Sequence, residues 1–214
     1  MPATPKQRSG WLAFVAALLV LAACTTAPEG EEEAFNRGVQ AYAAGDYETV
    51  LKEWLPLAEG GHRRAQYNLG LMYDDGQGVD QDDAKAVYWY RKAAESGHDG
   101  AQNNLGLMYA SGQGVRRDDV EAVAWWRKAA EQGYAKAQYN LGVMYLNGWG
   151  TPRDLVQAHK WFDLAAASYP PGGDRDEVTR QRDELAKAEM TPAEVEEAQR
   201  LAREWTAARS NGAE

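Results

Sequence analysis

The chain has 214 residues, with 23 Lys and Arg against 32 Asp and Glu for a net charge of −9, one cysteine and eight tryptophans. That length suits one or two ordinary domains, or one quasi-linear repeat array, and a charged fraction of 26% argues against wholesale disorder. The acidic balance argues against a nucleic-acid or anionic-lipid surface, and a lone cysteine excludes intramolecular disulfides and every multi-cysteine metal site.

Residues 1–23 read as a signal peptide. Lys6 and Arg8 give the positive start, and the apolar run from Trp11 to Ala23 falls short of the ~18–20 residues a bilayer-spanning helix needs. The run stops at Cys24, and Leu21-Ala22-Ala23-Cys24 resembles the lipobox of bacterial lipoproteins. The resemblance implies cleavage before Cys24, a diacylglycerol thioether on its sulfur and acylation of the new amino group. Two or three acyl chains anchor a protein stably where one does so only marginally. The next residue is Thr25 rather than the aspartate that marks inner-membrane retention, so the expected address is the cell envelope, at the periplasmic face of the outer membrane. Residues 24–33 are polar and acidic and are expected to form a flexible tether, with Glu31, Glu32 and Glu33 solvated.

Residues 34–62 form a first, degenerate unit of two helices joined at Gly45-Asp46, with Trp54 and Ala58 on the second. A 36-residue period then sets in. Ala65-Gln-Tyr-Asn-Leu-Gly-Leu-Met-Tyr73 returns as Ala101-Gln-Asn-Asn-Leu-Gly-Leu-Met-Tyr109 and as Ala137-Gln-Tyr-Asn-Leu-Gly-Val-Met-Tyr145. The units are 65–100, 101–136 and 137–170. In each, helix A has apolar residues at helical spacing, and a Gly-x-Gly loop breaks it. Helix B opens on Asp82-Asp83 or Asp118-Asp119, acids that suit the helix dipole; in the third unit Thr151 is the expected cap, with Pro152 in the first turn. Trp89, Trp125 and Trp161 recur on helix B and read as core. Gly70, Gly106 and Gly142 sit inside helix A, where glycine costs ~1 kcal/mol against alanine. A close approach of helix B, with its periodic tryptophan filling the space, would offset that cost.

Residues 174–209 read as a capping helix pair, entered through Pro170-Pro171-Gly172-Gly173. Thr191-Pro192-Ala193-Glu194 is a capping box, and Val195, Ala198, Leu201 and Trp205 form an amphipathic stripe.

The pattern Ala-x-x-x-Leu-Gly-x-x-Tyr, Gly-x-Gly, Ala-x-x-Trp-x-x-x-Ala-Ala resembles the Sel1-like repeat, a branch of the tetratricopeptide superfamily with a longer loop between its helices. The resemblance implies an all-α fold, a right-handed α-solenoid of Sel1-like, tetratricopeptide-like helix pairs. It also implies a role as a non-enzymatic protein–protein interaction scaffold.

The sequence gives no reason to expect a catalytic centre, a cofactor or a metal. His62, His98 and His159 read as surface histidines, and the Gly-x-Gly loops read as turns because they lack the Gly-Lys-Ser/Thr ending of a phosphate loop. Candidate binding residues come from two patterns. Gln66, Gln102 and Gln138 form one ladder, and Asn68, Asn104 and Asn140 another. Their amides could hydrogen-bond an extended peptide on a solenoid face, or satisfy backbone groups between helices. Trp126, Trp149 and Tyr88 break the aromatic periodicity, and Trp149, between two glycines, is a candidate for an exposed interface residue. The expected partner is an envelope protein bound by a monomeric, lipid-anchored chain, with no nucleic acid. A glycan- or peptidoglycan-binding lipoprotein is the alternative. A hydrolase related to the cysteine-rich Sel1-like branch is a weaker one, since that branch has a disulfide in each repeat.

Overall fold

The computed structural model describes residues 29–211, so the signal segment, the Cys24 anchor and the start of the tether lie outside the described residues. The described residues contain ten helices and no strand. In chain order these are α1 Glu29–Ala44, α2 Tyr47–Glu59, α3 Arg63–Asp75, α4 Asp83–Glu95, α5 Asp99–Ser111, α6 Asp119–Glu131, α7 Ala135–Asn147, α8 Leu155–Ser168, α9 Gly173–Glu189 and α10 Pro192–Asn211. They divide between Glu53 and Trp54 into two compact units.

In the first unit, α1 begins at Glu29, inside the segment expected to be a tether. Glu31, Glu32 and Glu33 lie at the N-terminal end of the helix, where acids suit its dipole, so helix formation reaches further back than composition suggests. Phe35 and Val50 are buried, and Arg37 pairs with Glu53 at 2.8 Å. Asp46 caps the start of α2, its carboxylate accepting the Thr49 N–H at 3.1 Å.

The second unit is an all-α solenoid. The helices pair as α3 with α4, α5 with α6 and α7 with α8, and each B helix also packs on the next A helix. One continuous core runs from Ala86 through Leu105, Trp125 and Leu141 to Trp161. The B helices are capped by Asp82, Asp118 and Asp154, whose carboxylates accept N–H groups of the first turn at 2.9–3.1 Å. In the third repeat, then, Asp154 is the cap and Thr151-Pro152 stay in the loop; the aspartate occupies the register its counterparts hold.

The helix-A glycines meet aromatic rings, but the ring is one residue later than the periodic tryptophan. A methyl group on Gly70, Gly106 or Gly142 would come within 2.5–2.7 Å of Tyr90, Trp126 or Phe162. Trp89, Trp125 and Trp161 are also buried, on the adjoining line of the same helices.

At the carboxyl end, α9 and α10 do not form the expected pair. Each packs on α8 rather than chiefly on the other. The Thr191 hydroxyl accepts the Glu194 N–H at 3.3 Å, and the Glu194 carboxylate accepts the Thr191 N–H at 2.7 Å, completing the capping box. Trp205 meets Trp161 edge to face at 6.2 Å, and the Arg209 guanidinium donates to the carbonyls of Glu131 and Gln132 at the end of α6.

Candidate functional site

Gln66, Gln102 and Gln138 are buried and face no groove. Their Nε2 groups donate to the carbonyls of Ala58, Ala94 and Ala130 at 2.9, 3.1 and 3.3 Å. Those carbonyls end the preceding B helices, where helical geometry leaves acceptors without a full set of donors. The glutamine ladder is therefore a seam that joins each repeat to the one before it. Only the Gln102 Oε1 finds a second partner, accepting from the Gln132 amide at 2.7 Å.

The asparagines are half-buried, and two of the three belong to an internal network. Asn140 donates to Asn103 at 3.2 Å, and Asn103 donates to Asn104 at 3.1 Å. Asn104 also hydrogen-bonds Tyr90, whose hydroxyl donates to Asp74 at 2.9 Å. Burial and the Asp74 charge push the Tyr90 phenol far above its ordinary range, so it stays a donor. Asn103 is the link that the sequence reading missed, because tyrosines occupy the equivalent positions 67 and 139. The departure from the repeat was the available signal.

Trp126 is core, 4% exposed, with its indole N–H donated to the Asn103 carbonyl at 3.1 Å. It does not break the aromatic periodicity but belongs to a second one, filling the space over Gly106 as Tyr90 and Phe162 do over their glycines. Trp149 is 51% exposed. Its neighbour Gly150 has φ +64° and is pressed so closely onto α6 that a Cβ would sit 2.1 Å from the Asp119 carbonyl. That seats the Trp149 loop at the start of α6, beside Val120, which is 63% exposed. The preceding junction repeats the geometry with Gly114 on Asp83 and Ala84, but its residues are Gln113 and Ala84. One junction of the array thus presents tryptophan and valine where its twin presents glutamine and alanine.

The histidines are not surface groups. His62 and His98 cap α3 and α5, their Nδ1 atoms accepting the N–H groups of Ala65 and Ala101 at 3.2 Å. His159 is buried, its Nδ1 without a hydrogen-bond partner and 3.9 Å from one Asp163 oxygen, while the other Asp163 oxygen pairs with Arg182. Burial lowers the pKa of both His98 and His159. Among the described residues no group of three or more His, Cys, Asp or Glu is placed to hold a metal ion.

A cavity of about 900 Å³ lies between α9 and α10, above α8. Leu164, Ala166 and Ala167 line it from α8, Arg175, Thr179 and Arg182 from α9, and Arg203 and Thr206 from α10. The sequence held its cause. The buried residues of α9 are Val178 and Leu185, and those of α10 are Ala198 and Ala202, stripes wide enough for one neighbour each. With α8 as that neighbour, the two helices leave a gap.

The Sel1 repeat family matches residues 63–98, 100–134 and 135–169. Among solved structures, a Sel1 repeat protein from Oxalobacter formigenes is 36% identical, with a TM-score of 0.65 over 71% of this chain and 60% of that one. A protective antigen of uropathogenic Escherichia coli with the same repeat fold is 38% identical, with a TM-score of 0.63 over 73% of this chain and 33% of that one. An exopolysaccharide production negative regulator of Rhizobium leguminosarum bv. viciae is 37% identical over 65 residues. That match spans 24% of the regulator's length and 30% of this chain.

Proposed function

The chain carries three Sel1 repeats, and from that premise we infer that it is a non-enzymatic interaction scaffold of the bacterial cell envelope, tethered through a lipidated Cys24. Proteins built on these repeats generally mediate protein–protein interaction, which supports the first part. The single observation that carries it is the Trp149–Val120 junction. The glutamine ladder and two of the three ladder asparagines bond to groups within the array, whereas a tryptophan and a valine are left in water at one junction and replaced by polar or small residues at its twin. Exposed tryptophan is the residue type most enriched among interface anchors. The lipobox-like Leu21-Ala22-Ala23-Cys24 supports the tether and the envelope address.

Glycan binding is the second reading, favoured by the same exposed indole, since tryptophan gives an amphipathic face for a sugar ring. The likeness to a regulator of exopolysaccharide production fits either reading, because a regulator can act by docking a protein or by sensing the polymer. Crosslinked affinity capture from native envelopes separates the two. A protein recovered in proportion to the bait supports the scaffold. Glycan fragments with no protein in proportion support the alternative, and recovery of neither overturns both.

A further inference from the structure

The groove between α9 and α10 carries an imbalance that the rest of these two helices avoid. On α9, Arg180 is paired with Glu177 and Glu184, at 2.6 and 2.8 Å. On α10, Arg200 is paired with Glu197 at 2.6 Å and Glu204 at 2.5 Å. Both use the same device, a glutamate three residues before and four residues after the arginine, which neutralises an outward-facing cation within one helix. Arg175 and Arg203 lack it. The residues three and four places either side of Arg175 are Pro171, Gly172, Val178 and Thr179, and those around Arg203 are Gln199, Arg200, Thr206 and Ala207. Neither side chain makes an ion pair or hydrogen bond with any described residue, and both line the groove, one on each wall.

The third groove arginine, Arg182, is already held by Asp163 and Asp183, at 2.6 Å each. Asp163 is therefore not free to neutralise the other two. Asp176 is the remaining acid of the groove, and it sits on a crest of α9 shared with that helix's other side. An apolar strip formed by Leu164, Ala166 and Ala202, each at most 7% exposed, floors the groove. In a chain of net charge −9, an apolar strip flanked by two unneutralised arginines on opposite walls is a local inversion of the surface.

We propose that this groove is a docking site for an acidic peptide segment of a partner protein, with Arg175 and Arg203 each receiving a carboxylate and small apolar side chains seated on the strip between them. The proposal rests on the interaction-scaffold reading and names the chemistry of one thing the scaffold holds. Charge complementarity chooses the occupant: guanidinium matches carboxylate in a two-pronged geometry, and two unpaired guanidiniums on opposite walls call for two carboxylates on one chain. A cavity of about 900 Å³ is also far larger than a single anion fills.

The test is selection of a displayed random-peptide library of about twelve residues on the intact chain, followed by fluorescence anisotropy of the enriched peptides. The proposal expects peptides rich in Asp and Glu around small apolar residues. It expects their affinity to fall at least about tenfold in the Arg175→Gln/Arg203→Gln variant and to weaken with added salt. An Arg180→Gln/Arg200→Gln variant removes the same charge from arginines of the same two helices that do not line the groove, and should bind as the wild type does. Equal losses in both variants would reduce the effect to net charge and overturn the proposal. So would full displacement by inorganic phosphate, or tighter binding of phosphatidylglycerol vesicles than of peptide, since these point to a free anion or a lipid headgroup. Failure to enrich any acidic peptide overturns it as well. A protein captured from native envelopes that still binds after both groove arginines are changed would overturn the groove and leave the scaffold reading standing. Absence of any captured protein would count against the scaffold itself.

Discussion

Gly106 and Trp126 are packed so closely that a methyl group on the glycine would lie 2.7 Å from the indole Nε1, less than any real side chain tolerates. The indole cannot easily retreat, because its N–H is held by the Asn103 carbonyl at 3.1 Å. The same relationship joins Gly70 to Tyr90 and Gly142 to Phe162. A glycine in mid-helix costs ~1 kcal/mol against alanine, and burial of one large aromatic side chain is worth roughly 1.5–3 kcal/mol, so the exchange is favourable.

Gly106→Ala should therefore destabilise the array by about 1–3 kcal/mol even though alanine is the better helix former. Thermal unfolding followed by circular dichroism reads this directly. Adding Trp126→Leu should relieve part of the clash, so the double variant should lose less than the two single losses combined. A Gly106→Ala melt equal to or above that of the wild type would refute the close packing.

The two amide ladders should behave differently. Gln102→Leu removes a buried donor from the Ala94 carbonyl and one acceptor from the exposed Gln132 amide, at a cost of about 1–3 kcal/mol in urea unfolding. Asn68→Ala should change stability by less than about 0.5 kcal/mol, because the half-buried Asn68 side chain takes no part in the amide network. Equal effects would mean that the ladders share one role.

Much of the solenoid was legible in the sequence because a period of 36 residues writes each contact three times. The capping aspartates Asp82 and Asp118, the buried tryptophans Trp89, Trp125 and Trp161 and the Thr191–Glu194 box follow from local pattern and capping chemistry. What escaped was set by neighbours that pattern does not specify. The glutamine ladder has the same spacing whether it faces a groove or the previous helix, and only the Ala58, Ala94 and Ala130 carbonyls decide. Trp126 looked like an extra aromatic because the glycine it covers lies 20 residues earlier. The α9–α10 groove was hidden by the assumption that consecutive helices pair, although their narrow apolar stripes already limited each to one partner.

Acid should loosen the array through its histidines. His98 faces Asp99, Arg63 and Arg64, and His159 faces Asp163, Arg182 and Asp183; in both, burial outweighs the acids and holds the pKa below the ordinary 6.5. The unfolded chain then takes up protons that the folded chain refuses as pH falls past 6.5. The stability from these groups is complete above that pH, is lost as pH falls below it, and stops changing once the folded-state pKa is passed. His98→Tyr, which installs the residue found at the equivalent position 134, should flatten the fall in melting temperature between about pH 7 and pH 5. An unchanged slope would show that the cap at His98 does not titrate in that range.

The tether makes its own prediction. Cys24→Ser should move the chain from the membrane fraction to the soluble fraction without altering its melting curve. A variant that stays membrane-bound after carbonate washing would remove the lipid anchor from this account.

The most direct test of the array as a docking scaffold is quantitative crosslinked capture from native envelopes by the wild type and by a Trp149→Gln/Val120→Ala variant, which rebuilds the junction with the residues of its twin. The account predicts unchanged folding, to within about 0.5 kcal/mol, and a protein partner whose recovery falls at least about tenfold with the variant. Equal recovery by both chains, or no protein partner with either, would contradict it.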